Sequence, residues 1–207
     1  MKYQNSLRNY PYKLKIFFLG SEGKTQEEIV KYLNDNDNKI TKINSKPKVN
    51  FISDNRFDYL ISFGYRYIIK PEILKYFPEK AINMHISYLP WNRGADSNLW
   101  SIIENTIKGV TIHYINEFLD KGENLCQKEV VFDKNDTLKS TYNMLNDELV
   151  KLFKNNWPNI VTNRIIKKKQ IGTGSYHKSS DKNSYKKFLK NGFETKISEL
   201  LGLAKNA

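Results

Sequence analysis

Cysteine is nearly absent: Cys126 stands alone in 207 residues, so no internal disulfide forms and a reducing compartment is the expected setting. No apolar run approaches the ~20 residues that span a bilayer. The longest near the start, Ile16 to Leu19, is too short for a secretory signal core and lacks a small-residue cleavage site, so a soluble cytoplasmic protein is expected. Arginine is also scarce, with five against 29 lysines. Arginine is the fork-shaped donor favoured for phosphates and base edges. Its scarcity weighs against nucleic acid as the main partner, even at a net charge of +12. The lysines are scattered among asparagines rather than gathered into a groove, and the densest run, Lys167 to Lys169, reads as one solvated strand face. Three histidines and one cysteine offer no metal-ligand spacing. A phosphate loop is missing as well: Gly20-Ser21-Glu22-Gly23-Lys24-Thr25 ends like one, but Phe18 occupies the place of its first glycine, and no third glycine stands at the dinucleotide-binding offset. What remains is a tight strand-to-helix turn whose helix N-terminus still suits an anion.

What is present is a core. Apolar residues make up 39% and aromatics 13% of the chain, which excludes general disorder. Short apolar clusters alternate with helical periods. Strands are expected at Leu14 to Leu19, Ile40 to Ile43, Tyr59 to Phe63, Ala81 to His85, Val110 to Ile115 and Leu125 to Phe132. Helices are expected after Thr25, read as an N-cap with Glu28 three residues on, after Pro71, and after Asp96 or Ser97. A longer helix from Asp136 is expected to stop at Asn155-Asn156-Trp157-Pro158. Residues 44 to 56 read as a polar loop. Strand alternating with helix predicts an α/β fold: a Rossmann-like open, mostly parallel sheet with helices on both faces and a shortened N-terminal half. Ligands of such sheets lie beyond the carboxyl ends of the strands. Residues 1–166 read as the main domain and 167–207 as a basic C-terminal appendage, opening on the flexible stretch Gly172 to Ser175 and holding helix candidates at Ser184 to Leu189 and Glu194 to Leu201.

The informative segment runs from Ala81 to Val131. It holds Asn83-Met84-His85, Ser87-Tyr88-Leu89-Pro90, Arg93-Gly94, Gly109-Val110-Thr111-Ile112-His113 and Leu119-Asp120-Lys121-Gly122. Taken singly, each has an ordinary explanation: Asn83 and His85 share one side of a strand, Asp120 suits a turn, and His113 suits a structural place. In this order and spacing they resemble the formyltransferases that use N10-formyltetrahydrofolate. Ser62 to Ile69 followed by Pro71-Glu72 is similar to the strand and loop that line that family's pterin pocket.

The resemblance implies transfer of a formyl group to an amine, with N10-formyltetrahydrofolate as co-substrate and no metal. It implies Asn83 and His85 as donors to the developing oxyanion and Asp120 as the group that orients His85 and relays the proton, with His113 in support. Tyr67, Ile68 and Ile69 with Asn116 and Glu117 would hold the folate. Trp91, Asn92 and Arg93 would face the acceptor, the first by stacking and the last by pairing with phosphate. The stretch from Leu14 to Asn83 is shorter than in the purine-pathway and initiator-tRNA members, and the ~40 residues after Lys167 are too few for the tRNA enzyme's barrel domain. The chain is most similar to the sugar N-formyltransferases, which act on nucleotide-linked amino sugars for surface polysaccharides such as lipopolysaccharide O-antigen. A homodimer is possible on this reading. The alternatives are a phosphoribosylglycinamide-type formyltransferase of purine synthesis, or an inactive basic binding module on the same fold.

Overall fold

The computed structural model describes residues 13–205. Its frame is a six-stranded sheet in the order β2 (Lys39–Ile43), β1 (Lys15–Gly20), β3 (Tyr59–Phe63), β4 (Ala81–His85), β6 (Gly109–Tyr114) and β7 (Asn124–Glu129). The first four are mutually parallel. β6 runs antiparallel to β4, and β7 antiparallel to β6. The central strands are apolar on both faces because both faces are covered. On one side α1 (Lys24–Asp35) and α5 (Leu138–Val161) seal a core built on Phe18, Ile61, Met84, Ile112, Leu149 and Trp157. On the other, α2 (Val49–Asn55) and α3 (Pro71–Leu74) cover β1 and β3 through Phe17, Leu60, Ile52 and Ile73. Each fully buried large apolar side chain stabilises the fold by roughly 1.5–3 kcal/mol.

This second cover reaches Ala81 and stops. Because successive strand residues alternate faces, Ala81, Asn83 and His85 share the face that α2 and α3 leave open, while Ile82 and Met84 point into the α1/α5 core. The open face at the end of β4 becomes a cleft.

Four local features differ from the sequence reading. Residues 49–55 form α2 rather than loop, with Ile52 as their single buried residue, too weak a stripe among Asn and Ser for periodicity to show. α1 begins one residue before Thr25, with extended Gly23 as N-cap and no side-chain capping bond. α5 runs through Pro158 to Val161. Proline removes the N–H that would have bonded the carbonyl four residues back, and the Tyr32 hydroxyl donates to that carbonyl, of Lys154, at 3.2 Å. Finally, the stretch 172–175 is tied down: Arg93 N–H donates to Ser175 O at 3.0 Å and Ser175 N–H to Pro90 O at 3.3 Å. Beyond it, β8 (Tyr176–His177) pairs in parallel with β5 (Arg93–Gly94). The two helix candidates appear as 3-10 turns at Asp181–Phe188, Gly192–Glu194 and Ile197–Glu199. Ile197 and Leu200 are buried against α4 (Ser97–Ile103) through Leu99, Ile102 and Ile103. No helix among the described residues is long and apolar enough to cross a membrane.

Candidate active site

Antiparallel pairing sets Asn83 on β4 directly opposite His113 on β6, and His85 opposite Thr111. Opposed side chains on one face of such a pair are within contact, and Asn83 Nδ2 lies 3.2 Å from His113 Nε2. After β6 the chain turns back sharply at Gly122, where a Cβ would lie 1.7 Å from the Tyr114 carbonyl oxygen. Only glycine permits that approach. The reversal carries Asp120, in a left-handed conformation at φ 53°, over the end of β4.

There the Asp120 carboxylate is held on three sides. Oδ1 accepts from Asn83 Nδ2 at 3.2 Å and lies 3.5 Å from His113 Nε2. Oδ2 accepts from the Gly94 N–H at 2.8 Å and lies 3.9 Å from His85 Nε2. Burial by itself would raise the Asp120 pKa. The charge of His85, the hydrogen bond and charge of His113 and the Gly94 N–H outweigh it and hold the carboxyl well below the usual carboxylate range. The carboxylate is therefore ionised throughout the neutral range, although only 8% of the residue is exposed.

The two imidazoles are anchored by main-chain carbonyls. The Tyr114 carbonyl lies 2.7 Å from His113 Nδ1, which places a hydrogen on Nδ1 and turns Nε2 toward Asp120. The Asn92 carbonyl lies 3.2 Å from His85 Nε2 and so fixes a hydrogen on that nitrogen. The distances make His113 a closer neighbour of Asp120 than His85 is, so the histidine expected in support is part of the cluster itself.

The cluster forms the floor of a cleft of 870 Å³. One wall is built from Gly64 to Ile69 and Ile115 to Leu119, including Tyr67, Ile68, Ile69, Asn116 and Glu117. Among the described residues, the main-chain N–H and C=O groups of residues 66–69 accept or donate no hydrogen bond, while Tyr67 and Ile68 are 43% and 72% exposed. The opposite wall comprises Gly94 to Ser97, Tyr176 to Ser179 and Lys182. Ser21, from the turn after β1, and Gln26, in the first turn of α1, reach the cleft as well.

Trp91, Asn92 and Arg93, expected on the acceptor side, do not line it. A tight turn, with Trp91 N–H on Tyr88 O at 3.2 Å, directs them inward. Asn92 is fully buried. Its amide donates to Glu104 Oε2 at 2.9 Å and accepts from the Thr106 hydroxyl at 2.9 Å. Arg93 is 8% exposed and bonds Gln170 and the Thr173 carbonyl. Trp91 borders a separate groove with Glu104, Thr106 and Ile107. Of the residues that replace them, Gly94 to Ser97, Tyr176 to Ser179 and Lys182, only Gly94 belongs to a motif visible in the sequence. Cys126, on β7, is half-buried, and burial pushes its thiol up to about 11, so at neutral pH it is not a thiolate nucleophile. No group of three or more His, Cys, Asp or Glu side chains among the described residues is arranged to hold a metal ion.

Residues 16–155 match the family model described as formyl transferase. The solved structure of the formyltransferase PseJ from Anoxybacillus kamchatkensis, in complex with UDP-4,6-dideoxy-4-formamido-L-AltNAc and tetrahydrofolate, is 45% identical, with a TM-score of 0.86 over 92% of this chain and 99% of that one. Among curated proteins, the bifunctional polymyxin resistance protein ArnA of Wigglesworthia glossinidia brevipalpis is 32% identical over 124 residues, which are 59% of this chain and 19% of that protein. The methionyl-tRNA formyltransferase of Prochlorococcus marinus subsp. pastoris is 38% identical over 112 residues, 52% of this chain and 34% of that protein. The chain thus spans about a third or less of the length of these curated relatives.

Proposed function

The chain belongs to the formyltransferase family, and on that premise we propose that it transfers a formyl group from N10-formyltetrahydrofolate to the primary amine of a nucleotide-linked amino sugar. The observation that carries this reading is the convergence of Asn83, His85, His113 and Asp120 on one spot at the floor of the cleft. The cleft volume is within the range of small-molecule sites. Its unpaired main-chain groups at 66–69 suit the donor and acceptor edge of a pterin, with Tyr67, Ile68, Ile69, Asn116 and Glu117 around it. The bound co-substrate supplies the formyl carbon and N10 as leaving group.

The rest is done by side chains of this chain. Asn83, through the amide hydrogen that Asp120 does not take, and His85, in its charged form through the ring nitrogen that the Asn92 carbonyl does not hold, are the donors to the negative charge that develops on the formyl oxygen. The attacking amine forms the new C–N bond and loses a proton, which ionised Asp120 receives directly or through water and returns to the departing nitrogen. His113 holds Asn83 and Asp120 in register. The acceptor is assigned to the wall of Gly94 to Ser97, Tyr176 to Ser179 and Lys182, where half-exposed Tyr176 offers a stacking face and Lys178 and Lys182 offer cations for phosphate. The likeness to PseJ over nearly its whole length supports a nucleotide-sugar acceptor over phosphoribosylglycinamide or an inactive binding module. A role in surface polysaccharide synthesis, such as that of O-antigen, a cytoplasmic location, a homodimer, and a boundary near residue 166 between catalytic domain and appendage belong to the same proposal.

The test is incubation of the protein and N10-formyltetrahydrofolate with a panel of UDP- and dTDP-linked amino sugars, followed by mass spectrometry of the acceptors. A formylated amino-sugar nucleotide is expected. Formylation of phosphoribosylglycinamide alone would transfer the protein to the purine branch, and no product with any amine, without thermal stabilisation by folate, would make it a binding module.

A further inference from the structure

Asp120 must stay in an unfavourable backbone conformation for its carboxylate to reach Asn83, His113 and Gly94 together. A left-handed φ of 53° at a non-glycine residue persists only where the surroundings over-determine it. The carboxylate is held by Asn83 and Gly94, and the main chain of the residue is held from elsewhere. Gln170 Nε2 donates to the Asp120 carbonyl at 2.8 Å and to the Gly122 carbonyl at 2.9 Å, spanning the reversal that sets Asp120 over β4. Its Oε1 accepts from Arg93 Nε at 3.1 Å and from Nη2 at 2.8 Å. Both donors and both lone pairs of the amide are thereby used.

Arg93 gives this arrangement its direction. The guanidinium is almost wholly buried, yet among the described residues it forms no ion pair and bonds only the neutral oxygens of Gln170 and Thr173. A buried cation needs every such bond, so it fixes which way the Gln170 amide faces. The backbone beside Gln170 is secured as well, because Lys168 and Asn124 exchange two main-chain hydrogen bonds of 2.8 Å. Gln170 lies beyond residues 16–155, the part matched to the family model.

We infer that Gln170, oriented by Arg93, is a positioning residue for the reaction: it pins the Asp120 loop in the conformation that presents the carboxylate to Asn83, His113 and the Gly94 N–H. This rests on the reading of Asp120 as the proton carrier. Glutamate at this position would still accept from Arg93 but could not donate to the two carbonyls, and methionine would do neither. Gln170→Glu and Gln170→Met are therefore compared with wild type by steady-state kinetics and by ¹³C NMR titration of the Asp120 carboxyl in the folded proteins. Expected are a fall in kcat of about 10- to 100-fold with KM for formyl-folate within about twofold, and an Asp120 carboxyl that titrates at higher pH than in wild type. Folded variants with wild-type kcat, or with lowered kcat and an unmoved Asp120 titration, overturn the inference. Should wild type formylate no acceptor, the functional reading fails and the NMR arm alone decides: an unmoved titration overturns the positioning role, a raised one supports it. Gln170→Glu retains the partner of Arg93 and so keeps the test decisive if Gln170→Met does not fold.

Discussion

Asn83 and Asp120, 37 residues apart in the chain, are joined by a 3.2 Å bond from the Asn83 amide nitrogen to the Asp120 carboxylate. Each therefore depends on the other for its place. Removing either takes a bond from its partner and a group from the reaction, so Asn83→Ala and Asp120→Ala are each expected to lower kcat by about 100- to 10,000-fold. The double variant should be little worse than the more damaged single one, because residues that act as a unit are not additive. A double-mutant cycle on kcat checks this. Additive losses would mean two independent contributions.

The ionisation of Asp120 has a consequence for stability. Its folded pKa lies below the usual carboxylate value, so the carboxylate favours the folded state. That contribution is fully present above the unfolded value of about 4 and is lost as pH falls through the lower folded value. Denaturant melts of wild type and Asp120→Asn are therefore compared from about pH 5 downwards. Below about pH 4 the wild-type advantage should shrink. A difference that grows as pH falls would contradict the charge assignment.

Gly94 has two tasks at once. Its N–H donates to Asp120 Oδ2 at 2.8 Å, and at φ +85° an added Cβ would lie 2.3 Å from the His177 carbonyl oxygen. The obstacle is backbone, and the conformation is one that side chains disfavour. Gly94→Ala is expected to cost about 2 kcal/mol or more, read as a lowered denaturation midpoint. It should also lower kcat, because β5 and β8 must separate and carry the N–H away from the carboxylate.

Legibility in the sequence followed the range of the interactions. β1 and β3 are nearly continuous apolar runs because both faces are buried, and Asn83, His85 and Asp120 lie at motif spacings on one strand and one loop. α2 was hidden because one buried residue makes no period. The inward turn of Trp91 to Arg93 was hidden because their partners, Glu104, Gln170 and Thr173, are set by tertiary folding and not by local pattern. β8 is two residues long and exists only through its pairing with β5. Gln170, 50 residues from the loop it bonds, carried no signal at all.

The same logic explains the helix that outlasts its proline. Pro158 leaves the Lys154 carbonyl without its helical donor, and an orphaned carbonyl in a packed setting is costly. The Tyr32 hydroxyl, on α1, takes that place, while the Tyr32 ring packs edge-on against Phe153. Tyr32→Phe keeps the ring and removes only the donor, so it is expected to destabilise the protein by about 1 kcal/mol and to leave kcat unchanged. In a Pro158→Ala background the restored N–H can serve the same carbonyl, and the cost of Tyr32→Phe should fall to less than about half. Equal costs in the two backgrounds would show that the hydroxyl contributes through something other than the vacancy left by proline.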